Sequence, residues 1–200
     1  LHDALPISIT DVTQLIGKEV NVVTLEDPVE YNIDGVNQVQ INEKTGMDFA
    51  NGLRAILRQD PDIIAVGEIR DGETAQISMR AAITGHVVLS TIHTNDAVGT
   101  IERLEDIGVE PYLVAAALRA VISQRLVRRI CPKCKKSYEA TDEEVSRLGL
   151  STEHKHIFYR GEGCADCFNT GYRGRIGVFE ILEITPEIRS LISCQAGNKR

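Results

Sequence analysis

Three acidic residues and a histidine stand just past apolar runs, where side chains can share work on a phosphate. Glu26 and Asp27 follow Val22-Val23-Thr24-Leu25, Glu68 follows Ile63-Ile64-Ala65-Val66-Gly67, and His93 follows a run from Val87 to Thr91. Carboxylates hold Mg²⁺ through oxygen and polarise water, and an imidazole beside them meets developing phosphate charge. Any one of these acids taken alone reads as a solvated loop residue. Three run ends together favour a common site.

The elements that must position them follow from the runs themselves. An apolar stretch without alternation, led in by Asp60-Pro61-Asp62, suits a strand buried on both faces of a parallel sheet. Pro28 stops the first run from continuing its ladder. Parallel strands joined by right-handed crossovers place their carboxyl ends on one edge, where open α/β sheets form ligand crevices. Asp48 is suited to cap a helix through about Gln59, and a second helix over about Glu73 to Thr84, ended by Gly85, supplies a βαβ crossover. On the first of these, Arg54 and Arg58 lie i, i+4 and project together, either as a solvated basic face or as a pair reaching a phosphate or a neighbouring subunit. Val29 to Ile41 reads as a short hairpin or an extended loop around Asp34-Gly35. Thr94 or Asn95 is expected to cap a helix ending at Gly108, and Pro111 to open a longer helix to about Ile130. The apolar stripe of that longer helix is Leu113, Ala117, Leu118, Val121, Ile122 and Leu126.

A second constellation is Cys131-x-x-Cys134 with Cys164-x-x-Cys167. Two such turns supply four thiolates to one ion, the closed tetrahedral set of structural zinc, and leave no open position for catalysis; a redox pair is the lesser alternative. Lys133, Lys135 and Lys136 are placed to offset the charge of a zinc tetrathiolate. His154 and His156 read as loop residues, since four cysteines fill the site. A short helix is expected from Thr141 to Leu150, a strand over Ile176 to Leu182, a helix over Pro186 to Ser193, and a free thiol at Cys194 in the tail.

The 200 residues have a net charge of −7 and five cysteines. That charge argues against a broad nucleic-acid footprint, and the paired cysteines fit a reducing compartment better than a disulfide framework. No stretch is long and apolar enough to span a bilayer, and the first residues lack a signal peptide's pattern, so the reading is cytoplasmic. Residues 1–20 are expected to be a truncated or foreign lead containing a helix over Thr10 to Lys18.

Taken together, these stretches resemble the secretion ATPase superfamily, specifically the assembly motors of type II secretion and type IV pili. VVTLEDPVEY is similar to that family's aspartate box, GLRAILRQDPDIIAVGEIRD to its Walker B region, and GHVVLSTIHTNDA to its histidine box. ISQRLVRRICPKC with CADCFNTGYRGRIGVFEIL resembles its tetracysteine region. The resemblance implies a partial RecA-like P-loop NTPase core over residues 21–110, followed over 111–200 by a helical region with a Cys₄ zinc module. It implies ATP, Mg²⁺ and Zn²⁺, a homo-oligomeric and usually hexameric ring, and contacts with an inner-membrane platform protein and a cytoplasmic recruitment protein. No nucleic acid is expected. By that resemblance Glu68 is the catalytic acid, with Glu26 beside it. Asp27, His86, His93, Arg54 and Arg58 are groups for nucleotide or Mg²⁺, and Cys131, Cys134, Cys164 and Cys167 are the metal ligands. The cysteine pairs favour an assembly motor over the related retraction motors.

One departure bears on activity. The chain contains no GxxxxGKS or GxxxxGKT phosphate loop, whose backbone amides and Lys cradle β and γ phosphates. The expectation is weak ATP binding and negligible hydrolysis by this chain alone, with catalysis belonging to a parent protein. The alternative is a non-catalytic zinc-containing scaffold that has lost the loop.

Overall fold

β1 (Val22–Glu26), β2 (Asn37–Gln40), β3 (Ile63–Val66) and β4 (Val87–Ser90) form a parallel sheet ordered β2-β1-β3-β4, in a computed structural model that describes residues 20–198. The two central strands are the non-alternating runs. All five residues of β1 are buried, as are Ile63, Ile64 and Val66 of β3. Val22 pairs with Ile63 and Leu25 with Val66, and Ile63 with Val87. β4 lies at the edge and is half-exposed, with Val87 open to solvent.

The helices follow their caps. α1 (Phe49–Ile56) starts where Asn51 N donates to Asp48 Oδ1 at 2.7 Å, and α2 (Gly72–Ile83) where Thr74 N donates to Asp71 Oδ1 at 2.8 Å. Leu53 and Ile56 of α1 and Ala81 of α2 meet Val23, Leu25, Ile64 and Val66 in one buried cluster. A second cluster joins Ala75 and Met79 of α2 to Leu104 of α3 (Gly99–Asp106), to Leu113, Val114 and Ala117 of α4 (Pro111–Ala117), and to Ile192 of α6 (Pro186–Asn198). α3 starts later than expected: Gly99 N donates to Asp96 Oδ1 at 2.7 Å, while the Thr94 hydroxyl turns to Asp96 O and Thr100. Cys194 is exposed and sits within α6 rather than in a tail.

Two further expectations about these elements fail, for physical reasons. The segment read as a short hairpin or an extended loop delivers β2, which runs parallel to β1, with Thr24 opposite Gln38 and Glu26 opposite Gln40. The helix expected to reach Ile130 stops at Ala117. Leu118 turns extended at ψ 133°, and Ala120–Ile130 becomes β5, paired with β8 (Tyr172–Glu183). Leu118, Val121, Ile122 and Leu126 satisfy helical spacing, but the β-branched residues among them favour a ladder once a partner strand is available. Ile122 is 54 % exposed there.

The described chain divides into two compact units, one of residues up to Ser123 with those from Glu180 onward, the other Gln124–Phe179. The division falls within β5 and β8 rather than at residue 110, because Ile184 and Ile192 join the cluster of α2 and α4. In the second unit, β6 (Lys135–Glu139) pairs antiparallel with β7 (Ile157–Gly161). α5 (Asp142–Arg147) opens with a capping box, Thr141 and Glu144 bonding each other's backbone N–H. The N-terminal lead and its helix over Thr10 to Lys18 lie outside the described residues. Among the described residues no helix is long and apolar enough to cross a membrane.

Candidate functional site

The carboxyl edge of the sheet is tied together by backbone before any side chain acts. Gly67 N donates to Leu25 O at 2.7 Å, Ile69 N to Thr91 O at 2.9 Å, and the Thr91 hydroxyl to Gly67 O at 2.7 Å. The ends of β1, β3 and β4 are thereby held in one row. Gly67 suits this approach: a Cβ there would stand 3.0 Å from the Leu25 carbonyl oxygen, a tight contact.

Glu68 follows that glycine. Its side chain is 18 % exposed, with Arg70 Nη2 at 2.5 Å from Oε1 and His93 Nε2 at 3.4 Å from Oε2. The hydrogen bond from Arg70 holds the carboxyl below its usual range. Partial burial opposes that shift, and the charges of Arg70 and His93 reinforce it. A carboxylate kept ionised, facing an imidazole, is suited to accept from water or to meet a cation.

Glu26, at the end of β1, is 6 % exposed. Its Oε1 accepts from the Thr24 hydroxyl at 2.6 Å and from Gln38 Nε2 at 2.9 Å. Among the described residues its Oε2 is buried without a partner. A buried unsatisfied carboxylate oxygen is costly, so such atoms mark positions built for a ligand, a proton or an ion. That donor fits Mg²⁺ or water, both oxygen-seeking. Asp27 is exposed, and its charge reaches Arg70 together with that of Glu43. An open cleft of about 240 Å³ adjoins Arg70 between the amino ends of α1 and α2.

The remaining expected residues stand apart. His86 precedes β4, at the opposite edge of the sheet, with Nδ1 at 3.0 Å from Ala81 O. Arg54 pairs with Glu73 in the first turn of α2, and Arg58 is exposed beyond the end of α1. The sheet edge therefore gathers Glu26, Asp27, Glu68 and His93, and not His86, Arg54 or Arg58. Arg70, Thr24 and Gln38 were not foreseen. Thr24 and Glu26 are two apart on a strand and so share a face, a signal legible in the sequence. Arg70 lies in a loop where no periodicity marks it.

The second unit gathers its four cysteines. Cys131 and Cys164 sulfurs lie 3.9 Å apart, Cys134 and Cys167 3.8 Å, and Cys164 and Cys167 3.7 Å. All four lie within 4.8 Å of one another. Zinc at about 2.3 Å from each of four sulfurs needs sulfur separations of about 3.8 Å, so the donor set and its spacing fit that ion. Cys164 N donates to Cys167 Sγ at 3.2 Å. Burial raises the Cys167 thiol, but the backbone donors of Cys164 and Gly171 outweigh it and bring the group to about 6. Gly161 and Gly171 allow the two turns to close. A Cβ on Gly161 would fall 2.0 Å from Gly171 O, the same oxygen that accepts from Cys131 N. The nearby lysines have partners around the cluster, and the charge of Cys164 also reaches Lys133. Lys133 pairs with Asp166, Lys136 with Glu162, and Lys135 lies over the Tyr159 ring.

Comparison with known proteins places these features in context. A family model described as Type II/IV secretion system protein matches residues 7–200. The Type II secretion system ATPase E of Vibrio cholerae is 50 % identical over 186 residues, 93 % of this chain and 37 % of that protein. The Type IV pilus assembly ATPase PilB of Myxococcus xanthus is 47 % identical over 189 residues, 90 % of this chain and 32 % of that protein. Among solved structures, the pilus retraction motor PilT with bound ADP superposes with a TM-score of 0.66 at 31 % identity, over 98 % of this chain and 47 % of that one. The Legionella pneumophila ATPase DotB, at 22 % identity and a TM-score of 0.65, shares the α/β fold. The chain thus spans about a third of the length of these sequence relatives.

Proposed function

The chain belongs to the type II/IV secretion system protein family, and from that membership we propose that it is the C-terminal motor portion of a cytoplasmic ATPase. The parent couples ATP hydrolysis to assembly of a type II secretion pseudopilus or a type IV pilus. The observation that carries the reading is the row of Glu26, Glu68 and His93 at the carboxyl edge of a parallel sheet, with Glu68 held ionised and one oxygen of Glu26 buried and unpaired. Relatives named as ATPases near 50 % identity support it.

In this reading residues 21–110 belong to a RecA-like core. Water attacks the γ-phosphorus, the bond to the ADP oxygen breaks, and a carboxylate takes the water's proton. Glu68 orients the water and the Mg²⁺ shell, and Glu26 is the buried proton acceptor. Asp27 and His93 set the charge around them, and Arg70 holds Glu68 ionised. His86, Arg54 and Arg58 serve nucleotide or Mg²⁺ from outside the row, the arginine pair reaching a phosphate or a neighbouring subunit of a hexameric ring. Mg²⁺ would supply charge neutralisation of the phosphates when bound, and zinc on Cys131, Cys134, Cys164 and Cys167 would hold the second unit. The ring works at the cytoplasmic face of the inner membrane, against a platform protein and a recruitment protein.

The test is Mg²⁺-dependent ATP hydrolysis by the full-length protein. Glu68→Gln is expected to lower kcat by about 10²–10⁴-fold, the usual size of a lost acid–base or water-orienting group, and this 200-residue chain alone to show negligible turnover. A full-length protein without ATPase activity, or one indifferent to Glu68→Gln, sinks the proposal and leaves the scaffold reading.

A further inference from the structure

The two hydrogen bonds that Glu26 receives both fall on the same oxygen. Thr24 Oγ1 and Gln38 Nε2 reach Oε1 at 2.6 and 2.9 Å, while Oε2 receives none although it is buried. A carboxylate with two equivalent oxygens has no reason to leave one bare in an interior where each unmade bond is costly. The arrangement is asymmetric because its donors are built that way.

Thr24 is buried and shares the strand face of Glu26. Gln38 sits opposite Thr24 on the neighbouring strand, and its amide is fixed at both ends. Its Oε1 accepts from Ile33 N at 2.7 Å, and its Nε2 donates to Tyr31 O at 2.9 Å as well as to Glu26. Those bonds fix which end of the amide faces Glu26: the donor end, pinned by a backbone acceptor and a backbone donor. The same two bonds tie residues 31–33 to β2, and the parallel pairing of β2 with β1 is what brings Gln38 alongside the carboxylate.

We propose that Thr24 and Gln38 are positioning residues for Glu26, saturating Oε1 so that Oε2 is the one oxygen left to take the proton of the attacking water. The proposal rests on the reading of the parent as an ATPase that uses Glu26. Neither residue touches substrate in this scheme. They act by turning the carboxylate and denying it an alternative acceptor, so their loss lowers the chemical step and not nucleotide binding.

The experiment is steady-state ATP hydrolysis by the full-length protein carrying Thr24→Val, Thr24→Ser, Gln38→Leu, the Val/Leu double variant or Glu26→Gln. The infrared band of ¹³C-labelled glutamate is recorded for each, Glu26 being assigned as the band lost in Glu26→Gln. Thr24→Val and Gln38→Leu are each expected to lower kcat about 10-fold with KM for Mg-ATP within about twofold, the pattern of an interaction that acts only in the transition state. Both shift the Glu26 band. The double variant approaches Glu26→Gln, and Thr24→Ser, which keeps the hydroxyl, restores both kcat and the band position.

If Glu26→Gln abolishes turnover while Thr24→Val and Gln38→Leu keep wild-type kcat, the positioning role is wrong and the ATPase reading stands. If Glu26→Gln itself keeps full turnover, the assignment of Glu26 has failed first. Should Gln38→Leu not fold, because its amide also staples residues 31–33, the Thr24→Val and Thr24→Ser pair decides alone: equal kcat in the two overturns the proposal.

Discussion

Leu25, Leu53, Ile64 and Val114 are wholly buried in the first unit, whereas from Gln124 to Phe179 the buried apolar positions are Cys131, Val145 and Cys167. Two of those three are members of the thiol cluster. The first unit therefore has a core that would exist without its site, since the sheet and two helices close over aliphatic side chains and the strand ends acquire their carboxylates afterwards. The second unit has antiparallel pairing, one short capped helix and surface ion pairs, and almost no apolar interior to bind them. Small folds without a core depend on disulfides or metals. The contrast teaches that the four sulfurs are the core of their unit, while Glu26 and Glu68 are passengers on theirs.

The largest effect follows from removing the metal. One zinc per chain is expected in freshly reduced protein, and Cys164→Ser or a strong chelator is expected to abolish amide protection over Gln124–Phe179 and leave β1, β3 and α1 protected. Structural zinc in small peptides is worth about 10–16 kcal/mol, more than such a unit holds by other means. Metal analysis together with hydrogen exchange reads both halves of the expectation. A cysteine variant whose second unit keeps its protection breaks the comparison.

The reverse substitution sharpens it. Ile64→Ala empties a fully buried position between β3 and α1 and is expected to cost about 2–5 kcal/mol, seen as a lowered thermal midpoint of the first unit with zinc content unchanged. Simultaneous loss of zinc would show that the units are not independent.

The same contrast explains what was legible in the sequence. The cysteines were, because two CxxC turns define a ligand set by spacing alone, whatever fold surrounds them. The central strands were, because a run such as Ile63 to Val66 has no polar face to leave in water. β5 was not: Leu118, Val121, Ile122 and Leu126 carry a helical period, and only the distant β8 decides for a strand. Nor was β2, since a parallel strand reached without an intervening helix has no local signature. At the site, Glu68 and His93 came together as their strand ends required. His86 did not, because it enters β4 where His93 leaves it, and a strand separates its two ends by its own length. Arg70 escaped because a loop side chain is directed by the folded backbone and not by spacing.

The smallest effect concerns Arg70 itself. Glu68 has a lowered carboxyl pKa in the folded unit, first because Arg70 donates to it, with burial opposing and the charges of Arg70 and His93 assisting. A carboxyl lowered by folding adds stability above its unfolded pKa and loses it as pH falls through the folded one. Arg70→Ala is therefore expected to destabilise the first unit near pH 7, and the gap from wild type to close as pH drops below the ordinary carboxylate range. Arg70 is itself 59 % exposed, which keeps the pair among exposed ion pairs and the effect to about 0.5 kcal/mol, smaller still in high salt. Urea titrations of the full-length protein at pH 7 and near pH 3.5 measure the two gaps. A gap that persists unchanged in acid means that Arg70 packs rather than pairs, and His93 would then be the group that keeps Glu68 ionised.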